Sequence, residues 1–124
     1  MPDDAKPPPA TLEALYQAFL AQKGARPSAT RVAELLGQDV RKIAKKLGEE
    51  AVETAVAAVS GTKQDVVAES SDLLFRLLVL WAKVGVDPGK VMADLAQRHG
   101  PKARPAEVKD AKDAKAPPPG EGRA

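Results

Sequence analysis

The sequence predicts an all-α protein, a small bundle of about five helices. Three observations predict this fold class: apolar residues recur at helical spacing, no stretch alternates apolar and polar residues as a strand would, and glycines separate the helical stretches. The chain has 124 residues, 44% of them hydrophobic, which is enough for one globular domain and too short for two.

Composition sets the domain boundaries. Nine of the eleven prolines lie in residues 1–10 and 101–124, where Met1 and Val108 are the only large apolar side chains. Such segments bury too little apolar surface to offset the entropy lost on ordering, so we predict that both are disordered and that residues 11–100 form the domain. The Lys/Pro/Ala-rich C-terminal tail is either a tether for nucleic acid or a partner, or, as we favour, a solubilising extension.

Several classes of protein are excluded by composition. The chain has no cysteine, which rules out disulfides, thiolate metal sites and a cysteine nucleophile. Its net charge of +2 is far from the basic excess of a dedicated nucleic-acid binder, so we expect no nucleic-acid partner. No signal-peptide pattern and no membrane-spanning apolar run are present, which predicts a soluble cytoplasmic protein without a membrane partner. Glycine-rich phosphate-binding loops are also absent.

The first two helices are short. Thr11 is a plausible N-cap, and a stop near Gly24 is expected for the first helix. A second helix should follow Ser28 or Thr30 and end at Gly37. The apolar stripe of the first helix consists of Leu12, Leu15, Tyr16, Phe19 and Leu20.

The longest helix is predicted over residues 39–60. Gly48 interrupts it at about 1 kcal/mol relative to alanine, which indicates a close backbone approach or simple tolerance. Its apolar stripe is predicted to be Val40, Ile43, Ala44, Leu47, Ala51, Ala55 and Ala58.

A fourth helix, over residues 64–83, is apolar at every position from Leu73 to Ala82 except Arg76. That run is too short to span a membrane, so it predicts a central core helix. A last helix starts at Asp87-Pro88 and ends near Gly100, with Val91, Met92 and Leu95 as its inner face. Because the chain has only four aromatic residues, a domain this small should be marginal alone, and we expect a homodimer.

Carboxylates concentrate on the two longest helices. At 100° per residue, Glu49, Glu50 and Glu53 lie within an arc of about 100°. Glu69 and Asp72 share a face of the following, mostly apolar helix, where a carboxylate is expensive to bury without a partner. These residues are either solvated helix faces or, if the two helices pair antiparallel, a cluster that needs a cation. The joint pattern favours a metal site.

Oxygen-only ligands select hard cations, which predicts Mg²⁺, with Mn²⁺ as an alternative. His99, the only histidine, lies outside the pattern and is better explained as a partner of a helix C-terminus. Magnesium held by carboxylates usually serves phosphate chemistry. Lys42 and Lys46 lie on the glutamate face, where they either contact substrate phosphate or pair with Glu49 or Glu50.

The segment from Lys42 to Glu53, KIAKKLGEEAVE, followed by ESSDLL from Glu69 to Leu74, resembles the phosphoribosyl-ATP pyrophosphatase family. This family of histidine biosynthesis is similar to the MazG-type, all-α nucleoside triphosphate pyrophosphohydrolases, and the resemblance covers residues 11–99. It implies an obligate dimer that uses magnesium to hydrolyse phosphoribosyl-ATP to phosphoribosyl-AMP and pyrophosphate. By resemblance, the metal-binding carboxylates are Glu50, Glu53, Glu69 and Asp72.

The mechanism that this resemblance implies starts with a water molecule, which Glu49 or Glu53 orients or deprotonates for attack on the α-phosphorus. Lys42 or Lys46 would neutralise the remaining charge of the phosphates. The family commonly has Tyr-His after the second acidic pair, where this chain has Phe75 and Arg76, so Arg76 either pairs with Asp72 or reaches a phosphate.

Three hypotheses remain open at this stage. The chain is the histidine-pathway pyrophosphatase, a MazG-like pyrophosphohydrolase for another nucleoside triphosphate, or a non-catalytic helical dimerisation module with a solvated acidic face. The aromatic residue that the family commonly has between Ser and Thr is alanine in the segment Ser28-Ala29-Thr30. This departure leaves the metal chemistry unchanged and leaves open which nucleotide is the substrate.

Overall fold

A computed structural model describes residues 11–101, in which five α-helices make up the regular secondary structure. This confirms the predicted all-α fold. The segments that we predicted to be disordered lie outside the described residues, apart from Pro101. The helices are α1 (Leu12–Leu20), α2 (Arg31–Leu36), α3 (Val40–Ser60), α4 (Lys63–Val84) and α5 (Pro88–His99).

The first four helices begin at side chains that satisfy otherwise unpaired backbone N–H groups. α4 has a full capping box, in which Thr62 accepts from the Asp65 amide and Asp65 accepts from the Thr62 amide. This box starts α4 one residue earlier than predicted. α1 ends at Leu20, and the chain continues as turns to Gly24, whose φ of 89° favours glycine. The N-caps are Thr11, Thr30, Asp39 and Thr62.

α3 and α4 form an antiparallel hairpin that is joined by only Gly61 and Thr62. α1 and α2 pack against α4. Lys83, at the end of α4, donates a hydrogen bond of 2.9 Å to the Leu36 carbonyl and so satisfies the C-terminus of α2. The hairpin is therefore the element on which the shorter N-terminal helices assemble.

The hydrophobic core lies at the end of the hairpin where α3 begins and α4 finishes. Val79 and Ala82 are almost completely buried there, and Tyr16 contributes from α1. The buried core cluster is Tyr16, Leu35, Leu36, Ile43, Leu78, Val79 and Ala82.

The inward face of α3 differs from the predicted apolar stripe. Ile43 and Leu47 face inward as expected, but farther along the same face continues through Glu50, Thr54 and Ala57. The larger side chains near the start of α3 set its rotation, because they bury more apolar surface than alanines do. The predicted stripe residues Ala44, Ala51, Ala55 and Ala58 are exposed.

Gly48 is tolerated and is not required by packing, because a Cβ atom there would meet no atom within 4 Å. Gly61 is different: a Cβ atom would lie 2.8 Å from Asp65 Oδ2 and 3.0 Å from the Ala57 carbonyl oxygen. The capping box therefore leaves no room for a side chain at position 61.

The chain divides by internal contacts into two units, with the boundary after Ala93. The first unit contains α1 to α4 and the start of α5, where Met92 is 46% exposed and does not form the predicted inner face. The second unit begins with the last part of α5, which carries an exposed Arg98–Asp94 ion pair; Leu95 is 47% exposed and His99 lies in the last turn.

None of the helices in residues 11–101 combines the length and apolar character that a bilayer-spanning segment needs.

Candidate metal centre

Carboxylates from α3 and α4 converge in the middle of the hairpin. One oxygen from each of Glu50, Glu69 and Asp72 lies within 4.8 Å of the other two, a spacing that suits ligands of a single cation. Glu53 lies beside this group, because its charge acts on both Glu50 and Glu69. We call these four residues the carboxylate cluster.

The surroundings of Glu50 and Glu69 disfavour their ionised forms. Removal from water raises the pKa of Glu50, the charges of Glu53 and Asp72 raise it further, and Arg76 opposes them. For Glu69, removal from water is again the largest cause of a raised pKa, followed by the charge of Glu53. Burial and mutual repulsion thus act together on the metal-free cluster.

Two oxygens of the cluster lack partners. Glu50 Oε1 and Glu69 Oε1 are both buried, and neither accepts a hydrogen bond from any residue of the described chain. Buried polar atoms are usually paired, so two such acceptors side by side need a positively charged or donating group. The donor set fits a hard divalent cation, which would satisfy both oxygens and offset the repulsion.

Thr54 holds the two helices together beside the cluster. Its hydroxyl lies 2.8 Å from the carbonyl oxygen of Glu50 and 3.1 Å from that of Glu69, so it can donate to either helix. The backbones of Glu50 and Glu69 are thereby fixed relative to one another. Thr54 was not among the predicted site residues, although its position four residues after Glu50 places it on the same helical face.

Glu49, predicted as the first acidic residue of the site, lies outside the cluster. Its carboxylate is 3.5 Å from Lys46 Nζ in an exposed ion pair. Of the two alternatives for Lys46, the structure therefore has the ion pair with Glu49. Lys42 is exposed on the same helix and forms no ion pair with a described residue.

Arg76 is next to the cluster but is not paired with Asp72 within the described chain. Its guanidinium carbon lies 5.6 Å from the centre of the Phe75 ring. The Arg31 guanidinium, from α2, lies 5.7 Å from the same ring centre, and Phe19 packs edge-on against that ring. Arg31 was not among the predicted site residues, and nothing in its spacing to Arg76 could have identified it.

Two open depressions lie beside the carboxylate cluster and the Phe75 ring. One, of about 480 Å³, lies at the turn end of the hairpin and includes Glu53, Glu69, Val52 and Val56 in its lining. The other is an apolar groove of about 580 Å³ between α1 and α4, to which Ser70 and Ser71 contribute the hydroxyl groups. The groove was not anticipated from the sequence, because it is formed by residues of two helices that are far apart in the chain.

Carboxylates that converge between two antiparallel helices are what the resemblance to the all-α nucleotide pyrophosphohydrolases leads us to expect, and comparison with known proteins places the chain in that class. A family model described as phosphoribosyl-ATP pyrophosphohydrolase matches residues 12–99. The chain belongs to this family, which confirms the resemblance seen in its acidic motifs.

Curated relatives agree with this assignment. A phosphoribosyl-ATP pyrophosphatase of Paramagnetospirillum magneticum is 52% identical over 89 residues, which is 72% of this chain and 82% of the relative. The enzyme of that name from Azospirillum brasilense is 48% identical over 91 residues, 73% of this chain and 82% of its own. That of Rhodospirillum rubrum is 44% identical over 102 residues, 81% and 87% of the two chains.

Removing one charge from the cluster should stabilise the metal-free protein. Because the pKa of Glu50 is raised above its ordinary value of 4.5, the folded chain binds more protons than the unfolded chain, and the free energy of unfolding falls as pH rises through and above that value. Glu50→Gln should therefore raise the urea midpoint at pH 7 in chelator and flatten its decline from acidic pH.

Glu49→Gln is the matched control, since Glu49 is in an exposed pair outside the cluster. An equal rise in both variants, or no change in Glu50→Gln, would contradict the repulsion that we ascribe to the cluster.

Proposed function

We propose that this chain catalyses the Mg²⁺-dependent hydrolysis of phosphoribosyl-ATP to phosphoribosyl-AMP and pyrophosphate, a cytoplasmic step of histidine biosynthesis. The observation that carries the proposal is that Glu50 and Glu69, whose carboxylates converge with that of Asp72, each have one buried oxygen without a hydrogen-bond partner in the described chain. A solvated acidic face would have neither feature. Family membership and the names of the relatives support the choice of substrate.

The metal ligands in this proposal are Glu50, Glu69 and Asp72, with Glu53 as a further ligand at the edge of the group. Mg²⁺ or Mn²⁺ bound there would neutralise phosphate oxygens and stabilise the charge that develops on the leaving pyrophosphate. Thr54 keeps the two ligand-bearing helices in register through its contacts with the Glu50 and Glu69 carbonyls. The fold thus holds the negatively charged carboxylates of the cluster close together, so that they are already in position for a cation.

Glu53 is the carboxylate that we favour for water activation. It borders the open depression at the turn end of the hairpin, where a water molecule has access. As the water oxygen bonds to the α-phosphorus, its proton passes to the carboxylate, and the bond from the α-phosphorus to the bridging oxygen of pyrophosphate breaks. Glu49 remains the alternative base, and it would first have to leave its ion pair with Lys46.

Three basic residues are assigned to substrate phosphates. Arg76 follows Asp72 by one helical turn and carries its charge beside the cluster. Lys42 is exposed and unpaired within the described chain, and Lys46 would exchange Glu49 for phosphate. The apolar groove between α1 and α4 offers the nucleobase a surface on which to pack.

We also propose a homodimer. Three valines of α3, Val52, Val56 and Val59, are 63%, 55% and 88% exposed, and two of them line the depression that contains Glu53 and Glu69. Isolated apolar residues on a surface are ordinary, but a row along one helix is typical of an interface. The core lies at the opposite end of the hairpin, so a second copy would supply the packing that the turn end lacks.

The substrate is tested directly. Purified protein should release pyrophosphate from phosphoribosyl-ATP in the presence of Mg²⁺, with little release from ATP or other common nucleoside triphosphates and none after chelation. Release from ordinary nucleotides alone would show a different substrate within the same class. No metal-dependent release from any nucleotide would leave the non-catalytic dimerisation module as the function.

The site is tested with two isosteric changes. Glu53→Gln and Asp72→Asn should each lower kcat by at least about 100-fold, because they remove charge where metal or water is held, without changing shape. Helical circular dichroism and the urea midpoint should match or exceed the wild type. Full activity in either variant would refute the assignment of that residue.

The dimer interface is tested by charge insertion. Val56→Lys should shift the molar mass from light scattering from that of a dimer to that of a monomer, since burying an unpaired ammonium is strongly unfavourable. Val84→Lys is the control, because Val84 is similarly exposed, at 52%, but lies at the far end of α4. A monomeric wild type, or a dimer that survives the Val56 change, would contradict this interface.

A further inference from the structure

We propose that Arg31 and Arg76, held against the Phe75 ring, form a phosphate-binding site beside the carboxylate cluster, and that this site takes a phosphate group of the nucleotide substrate. The residue that α2 contributes, Arg31, belongs to no sequence motif. The proposal rests on the proposed function for the identity of the ligand.

The geometry brings two guanidinium groups to one ring. They lie 5.7 and 5.6 Å from the centre of Phe75, so they are no farther apart than the sum of those distances. Contact with an aromatic ring orients an arginine without using its N–H donors, which remain available to an anion. Phe19 packs edge-on against Phe75 and fixes the ring itself.

Neither guanidinium group forms an ion pair with a carboxylate of residues 11–101, although the charge of Arg76 acts on Glu50. Arg41, Lys46 and Arg98 account for the ion pairs in residues 11–101, and neither Arg31 nor Arg76 takes part in one. For Arg76 this is notable, since Asp72 lies one turn earlier on the same helix; for Arg31, Glu34 is three residues later. Two like charges therefore share one ring without a direct ion pair to either, and a bound anion would stabilise this arrangement.

The two arginines are placed to bind a phosphate group on the α2 side of the carboxylate cluster. Arg76 is one helical turn from Asp72, so the pair continues the site from the carboxylates towards α2. Phosphoribosyl-ATP carries a triphosphate and a separate ribosyl 5′-phosphate, and both are dianionic or more at neutral pH. A planar guanidinium donates two parallel hydrogen bonds to such a group, and two guanidinium groups would balance its charge.

Arg31→Gln tests the site, with Arg41→Gln as the matched control. Both arginines are exposed and each lies at the start of a helix, but Arg41 pairs with Asp39 and is not part of the site. With phosphoribosyl-ATP, Arg31→Gln should raise KM by about 10- to 100-fold and change kcat by no more than about threefold, as expected when a contact to a non-reacting group is lost. Arg31→Lys should recover only part of the loss, because lysine lacks the planar fork.

Product binding, measured by calorimetry on the magnesium-loaded protein, distinguishes the two sources of phosphate. Weaker binding of phosphoribosyl-AMP alone assigns the site to a phosphate of that product, and weaker binding of pyrophosphate alone assigns it to the triphosphate end. If KM and both dissociation constants of Arg31→Gln equal those of Arg41→Gln, the proposal is overturned.

The same measurements separate this proposal from the proposed function. A wild type that does not hydrolyse phosphoribosyl-ATP refutes the function, while pyrophosphate and phosphoribosyl-AMP still report whether Arg31 binds phosphate. Equal helical circular dichroism and urea midpoints in the two glutamine variants show that the comparison concerns binding and not folding.

Discussion

The structure depends on close pairing of α3 and α4 across a row of carboxylates that repel one another. Thr54 stabilises this pairing at its centre, where one hydroxyl lies within hydrogen-bonding distance of carbonyl oxygens on both helices. The neighbouring carboxylates do not contribute to this pairing, because Glu50 Oε1 and Glu69 Oε1 have no hydrogen-bond partner in the described chain and the charges of the cluster repel one another. A neutral polar bridge beside the charged residues keeps the backbones of Glu50 and Glu69 in place.

The hairpin has three regions of different character along its length. Ile43, Leu78 and Val79 form the core at one end, the carboxylates occupy the middle, and the turn end has mostly exposed valines. The apolar core that stabilises the domain therefore lies away from the carboxylate cluster. Repulsion within the cluster can be tolerated without unfolding the domain. Active sites commonly combine such local strain with support from surrounding structure.

Local rules predicted most of the fold. Thr11 caps α1 as the sequence indicated, and Thr30, one of the two predicted starts, caps α2. The acidic spacing placed Glu50, Glu69 and Asp72 on facing helices. The rest required tertiary information. The rotation of α3 follows from the burial of its larger apolar side chains in the core, and a helical wheel that counts alanines equally with them does not show which side chains are buried. The meeting of Arg31 with Phe75 depends on how α2 packs on α4.

The tight connection between the two long helices restricts how the chain can change in length. Gly61 has no space for a side chain beside the capping box of Thr62 and Asp65, and the Thr54 bridge fixes the phase of α3 against α4. One residue inserted within either helix, between the bridge and the turn, would rotate the carboxylates beyond it by about 100° and break their convergence. Within the α3–α4 hairpin, a change in length that preserves the convergence of the carboxylates must therefore keep the phase of both helices.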